Sequence, residues 1–146
     1  MIRTITVNDK EQILRLVEMF FKEHMESINS YYSPQHGFEH FDIFINNPAI
    51  IALCFEEPDG RIVGLIVGML SMILFAKELA MQEMIWYVEP EKRKCGLKLF
   101  RAFEERAAQV GASRIIVTGF SNTDLVGLYP KLGYIENQRI FMKGIK

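Results

Sequence analysis

Residues 87–100 read YVEPEKRKCGLKLF. A strand-like opening ends in Val88-Glu89-Pro90, the cations Arg93 and Lys94 precede Gly96, and an apolar helical pattern begins at Leu97. A helix N-terminus leaves backbone N–H groups without intrahelical partners and carries about half a positive charge. Phosphate is stabilised there, whereas cations are poorly placed unless an anion is bound. A glycine at the junction removes the Cβ that would hold a ligand away from the backbone. Arg93 and Lys94 before Gly96, with Lys98 one turn in, therefore read as an anion cradle or as a solvated basic turn. These residues by themselves leave both readings open.

Working outward, the spacing of Leu99, Phe100, Phe103, Ala107 and Val110 predicts a helix over 96–110, closed by Gly111. Residues 82–88 read as the strand that feeds it. Before that, a long strand over 61–75 carries the apolar run IVGLIVGMLSMILF, and Lys77-Glu78 marks the turn between the two. The run is too short for a comfortable bilayer crossing and suits a buried strand. Pro58-Asp59-Gly60 makes a hairpin turn from an earlier strand over 49–56. Nearer the start, residues 2–7 alternate as a first strand, and Asn8 with Glu11 forms a candidate capping box. Ile13, Leu16, Val17, Phe20, Phe21 and His24 line one face of a helix over 9–26. Ser33-Pro34 starts a second helix, carried by Phe38, Phe41 and Ile45 and stopped at Asn46-Asn47-Pro48. Downstream come a β-branched strand over 113–118, a short helix over 122–132 ending at Gly133, and a last strand over 139–145. The order βααβββαβαβ predicts one α/β (α+β) domain, residues 1–146, around a mixed sheet.

The chain of 146 residues is 49% hydrophobic and 24% charged with a net charge of −1, as in globular domains. That balance lacks the basic excess of nucleic-acid binders, so no nucleic-acid partner is expected. Cys54 and Cys95 are far apart and suit reduced thiols. The opening MIRTITVNDK is polar where a secretory signal carries its apolar stretch, so a cytoplasmic location without a membrane anchor is expected. His24, His36 and His40 have no acidic or thiol complement at a recognised spacing, so no metal is expected.

The opening stretch, V-E-P followed by Arg93-Lys94-Cys95-Gly96-Leu97-Lys98, resembles the acyl-CoA-binding motif of the GNAT acetyltransferase superfamily, R/Q-x-x-G-x-G/A after a strand ending V-x-P. A second stretch, DLVGLYPKLGY (124–134), is similar to the family's A-x-x-L-Y-x-K-L-G-F segment. Leu128, Tyr129, Lys131, Leu132, Gly133 and Tyr134 fall in register with it. The element order agrees from first strand to last, so the resemblance covers nearly the whole chain. It implies a central sheet of about six to seven strands flanked by helices. Lys98 departs from the motif's last Gly/Ala. It is either a surface lysine or a cation that reaches a coenzyme A phosphate.

The resemblance implies acetyl-CoA as cosubstrate, bound where the strand ending at Val88 and the strand over 113–118 splay apart. Backbone around Trp86, Tyr87 and Val88 would pair with the pantetheine arm. Arg93 and the N–H groups of Lys94, Cys95, Gly96, Leu97 and Lys98 would hold the pyrophosphate. An amine acceptor, whether a small molecule, a peptide N-terminus or a protein lysine, would enter from the opposite side and attack the thioester directly in a ternary complex. Tyr129 takes the family's general-acid position, although a core aromatic would look the same. Glu83 lies in an apolar strand, where a carboxylate is costly unless used or paired. It is a base or water-ordering group, or half of a cross-strand salt bridge. Asn122 lies near the pantetheine or is a plain N-cap. Nearby cations and the helix terminus are expected to lower the Cys95 pKa, although bound phosphates would cover it. The acceptor region spans 26–40, where Glu26 and Glu39 suit a cationic amine or simply a surface loop. Dimers are frequent in the family, so the resemblance leaves the oligomeric state open between monomer and homodimer. The expected function is acetyl transfer to a primary amine, with a catalytically degenerate GNAT-fold binder or inhibitor as the alternative.

Overall fold

The computed structural model describes residues 1–120 and 124–145. Five strands form one sheet in chain order: β1 (Ile2–Thr4), β2 (Ile50–Glu56), β3 (Ile62–Met72), β4 (Leu79–Val88) and β5 (Arg114–Ile116). β1 to β4 pair antiparallel and β5 pairs parallel with β4, giving the mixed sheet expected. The strand count is five among the described residues, not six to seven. Residues 139–145 form no strand, and Ile140, Phe141, Met142 and Ile145 are exposed. Apolar and β-branched residues favour a strand only when a neighbouring strand receives them. None pairs with this segment among the described residues.

Helices α1 (Lys10–Phe20) and α2 (Pro34–Ile45) cover one face, and α3 (Gly96–Gln109) and α4 (Leu125–Lys131) cover the other. Burial on both faces explains why β3 reads as an unbroken apolar run. Leu65 and Val67 join the core under α1 and α2, while Ile66 joins the core with Phe100 and Phe103 of α3. Gly68 is required by close approach, because a Cβ there would stand 2.5 Å from the Phe103 ring. At the far end of α3, Gly111 adopts a φ of +93°, which suits glycine at a helix end.

The N-terminal details differ from the sequence reading. The capping box is Thr6 with Asp9, not Asn8 with Glu11. Asp9 wins because it is buried and accepts from Thr6 N–H at 2.8 Å and from both Arg3 NH groups at 2.8 and 2.9 Å. The helix expected over 9–26 is α-helical only to Phe20 and then widens into a π-helical turn, Phe21–Met25. Glu26 N–H bonds to Phe21 O, and a 3₁₀ turn, Glu26–Ile28, follows. α2 begins as expected, with Pro34 in its first turn and Ser33 Oγ accepting from His36 N–H at 3.3 Å.

Candidate active site

β4 carries an irregularity in its pairing with β3. Val67 lies opposite Ile85 and Gly68 opposite Glu83, so Met84 is an extra residue on β4. A bulge of this kind shifts the alternation of side chains between faces. Ile85 and Tyr87 accordingly join the core under α1 and α2, while Trp86 and Val88 join the core under α3. Pairing between β4 and β5 runs from Ala80 opposite Arg114 to Gln82 opposite Ile116 and stops there. From Glu83 to Val88 that edge of β4 has no strand partner among the described residues, so the two chains separate.

Glu83 sits at the start of this split and is buried. Its Oε2 accepts from Thr118 N–H and from Thr118 Oγ1, both at 3.3 Å. Burial pushes its pKa up to about 7, against the pull of the two Thr118 bonds. Glu83 makes no salt bridge among the described residues. The Tyr129 hydroxyl donates to Thr118 O at 2.8 Å. Burial, and then the nearby Glu83 charge, raise its pKa above the ordinary tyrosine value. Its ring packs against Phe100 and Tyr134, so Tyr129 is a core aromatic as well as a hydrogen-bonded one.

The basic turn is a 3₁₀ helix, Pro90–Cys95, running directly into α3. Gly96 N–H donates to Arg93 O, so this amide is already engaged. Hydrogen bonds of 3₁₀ geometry are poor, and an anion competes with them more readily than with α-helical ones. Lys92 pairs with Glu57 at 2.6 Å, and Arg93 pairs with Glu23. Lys94 and Lys98 are exposed and make no ion pair among the described residues. A Cβ on Gly96 would meet Val88 and Trp86 at 3.6 and 3.7 Å, an ordinary contact, so packing alone does not demand glycine there. Trp86 stacks on Phe100 at 4.6 Å, and its Nε1 is buried without a hydrogen-bond partner. Leu97 is half-buried. The Cys95 thiol is raised, not lowered, because its burial outweighs the nearby Lys92 charge. Asn122 lies outside the described residues.

Four residues here, Glu23, His24, Glu89 and Thr118, were assigned no role at this site in the sequence reading. Glu23 ties the basic turn to the other face: it pairs with Arg93 and hydrogen-bonds with Tyr87. Burial pushes the Glu23 pKa up, yet those two partners outweigh it and hold it below the ordinary value. The Tyr87 hydroxyl is pushed up to about 12, by burial first and then by Glu23. His24, turned inward on the π-helical stretch, stacks flat on Phe120 at 4.5 Å with its side chain 10% exposed. Its Nδ1 is buried without a partner, and burial lowers its pKa. Glu89 is buried and holds Arg15 at 2.5 Å and Arg61 at 2.8 Å, which fixes the end of β4 to α1 and to the β2–β3 hairpin. Thr118 bridges Glu83 and Tyr129. His36 and His40 are exposed and stacked on each other at 4.0 Å. Among the described residues no group of three or more His, Cys, Asp or Glu is arranged to hold a metal. Among the described residues no helix is long and apolar enough to cross a membrane.

Solved structures with this fold include a mutant form of a protein from Bacillus halodurans, 17% identical, with a TM-score of 0.82 over 100% of this chain and 99% of that one. An acetyltransferase from Trypanosoma brucei is 20% identical with a TM-score of 0.77, covering 99% of both chains. A ribosomal-protein-alanine N-acetyltransferase from Brucella melitensis is 14% identical with a TM-score of 0.76, again over 99% of each chain. At these identities the likeness is one of fold. No curated protein matches the chain. The family model described as Acetyltransferase (GNAT) family matches residues 14–134, which span the π-helical turn, the β4 bulge, the basic turn and Tyr129. The chain belongs to the GNAT acetyltransferase family.

Proposed function

We propose that this protein transfers an acetyl group from acetyl-CoA to a primary amine, within one domain of residues 1–146. The family generally uses acetyl-CoA and acts on amine acceptors. The observation that carries the reading is the pair Glu83 and Tyr129, both tied to Thr118 at the point where β4 and β5 part.

The residues present fit the cosubstrate. Lys94 and Lys98 are cations without a protein partner among the described residues, flanking the soft 3₁₀ junction at Gly96. They hold the phosphates, whereas Arg93, engaged by Glu23, tethers the turn. The edge of β4 at Trp86, Tyr87 and Val88, which has no strand partner among the described residues, takes the amide-bearing arm, alongside Cys95 and Leu97. Once bound, acetyl-CoA supplies the thioester. Glu83, with a pKa near 7, takes a proton from the incoming ammonium. The free amine forms the C–N bond as the C–S bond breaks. Tyr129, which burial keeps protonated, gives its proton to the departing sulfur, and the second proton of the nitrogen restores the tyrosine. Assisted proton transfer of this kind contributes ~10²–10⁴-fold, added to the gain from positioning both substrates.

Amine-dependent release of free thiol from acetyl-CoA tests the reading. Release by the wild type and its loss in Tyr129→Phe is the expected result. The two free thiols, Cys54 and Cys95, are in keeping with a cytoplasmic site of action. A homodimer, which the family resemblance leaves open, is the proposed assembly, and light scattering decides it.

A further inference from the structure

A cavity of about 190 Å³ lies between α1, α2 and the sheet. Leu14 and Val17 of α1, Phe44 of α2, and Val67 and Ile85 of the sheet form its walls, with His36 and His40 also lining it. Among the described residues no carboxylate or ammonium lines it. Ile85 in its wall directly follows the bulged Met84 and stands two residues from Glu83 along β4, with its side chain on the α1 and α2 face. The cavity lies on the sheet face away from Trp86 and Tyr129, which pack with α3. That is the side left for the acceptor if acetyl-CoA is held by the α3 junction.

We infer that this cavity receives the apolar group of the acceptor, so that the substrate is a primary amine bearing an uncharged aliphatic or aromatic group. The inference rests on the acetyltransferase reading and narrows it. A second ammonium placed in this cavity would lose its water and find no carboxylate. Glu26 and Glu39, which in the sequence suited a cationic acceptor, do not line it, and Glu39 accepts from Gln35 at 2.9 Å on the surface. Polyamines and aminoglycosides are therefore poor acceptors.

Calorimetric titration with n-alkylamines, 2-phenylethylamine and spermidine, with and without saturating coenzyme A, tests this without turnover. Affinity is expected to tighten about fourfold per methylene until the cavity is filled, as burial of each CH₂ implies. Spermidine is expected to show no saturable binding. Val17→Phe and Leu14→Phe fill the cavity from α1. Each is expected to weaken hexylamine binding at least tenfold and to raise its KM while kcat changes less than about twofold. An unchanged acetyl-CoA-induced thermal shift confirms that a variant is folded. Affinity independent of alkyl length in both titrations, tighter binding of spermidine, or unaltered hexylamine binding by both folded variants would overturn the inference. Turnover of spermidine in preference to alkylamines leaves the acetyltransferase reading intact and sinks this one. Failure of every amine to release thiol, with alkyl-length dependence preserved in the titrations, sinks the acetyltransferase reading and leaves only a cavity that binds apolar amines.

Discussion

The hydroxyl of Tyr129 donates to the carbonyl oxygen of Thr118 at 2.8 Å, while the N–H and Oγ1 of the same threonine donate to Glu83 at 3.3 Å. One residue just beyond β5 thus sets the position of both groups assigned to proton transfer. The arrangement is held from α4 on one side and from the β4 bulge on the other.

Tyr129→Phe keeps the ring in its contacts with Phe100 and Tyr134 and removes only the hydroxyl. The lost hydrogen bond costs about 1 kcal/mol of stability. Steady-state kinetics should show kcat lowered by at least ~10², the lower end for assisted proton transfer. Acetyl-CoA affinity should stay within about twofold of wild type. Unchanged kcat would return Tyr129 to a packing role.

Glu83 makes two pH predictions. As a base it must be ionised, so kcat/KM should rise with pH through about 7, and Glu83→Gln should remove that inflection and lower the plateau. For stability the sign is the opposite. Its folded pKa of about 7 lies above the ordinary value of 4.5, so the folded chain binds more protons between those limits. Stability therefore falls as pH rises through this window, by roughly 3 kcal/mol for a difference of that size. Chemical denaturation at pH 4.5 and pH 8 should show this fall in the wild type and its loss in Glu83→Gln.

Lys94→Ala and Lys98→Ala should each weaken acetyl-CoA binding about fivefold, a loss of ~1 kcal/mol in keeping with exposed charge contacts. The loss should shrink at high salt, because exposed charges are screened. Dephospho-coenzyme A titrated beside coenzyme A shows which lysine meets which phosphate. Affinity unchanged in Lys98→Ala would make Lys98 a surface residue and nothing more.

Glu89→Gln breaks the hold of one carboxylate on Arg15 and Arg61. Removing one partner of a wholly buried ion pair costs ~3–5 kcal/mol. Here the arginine side chains are 38% and 52% exposed and regain water, so about 2 kcal/mol is expected in urea denaturation. A loss below about 0.5 kcal/mol would mean that Glu89 does not anchor the end of β4.

The parts legible in the sequence are those written in short-range spacing. β3 is given away by its apolar run, α3 by Leu99, Phe100, Phe103 and Ala107, α2 by Ser33-Pro34, and the hairpin by Pro58-Asp59-Gly60. Long-range pairings left no such mark. Arg93 meets Glu23 across 70 residues and Glu83 meets Thr118 across 35, and neither distance has a period to read. The basic turn showed the same limit: four cations were visible, but not that Lys92 and Arg93 already have carboxylate partners. The bulge at Met84 and the π-helical turn that carries His24 were hidden too, since each inserts a single step into an otherwise regular pattern. The strand read over 139–145 went wrong because its apolar residues signalled burial without naming a neighbour to supply it.

The central claim is that Tyr129 and Glu83 serve acetyl transfer to an amine. Free-thiol release from acetyl-CoA, measured against a panel of primary amines for wild type and Tyr129→Phe side by side, tests it most directly. The account predicts amine-dependent release by the wild type and at least ~10²-fold slower release by the variant. Acetyl-CoA binding to the wild type without thiol release from any amine would contradict it and describe a binder that has kept the fold without the reaction.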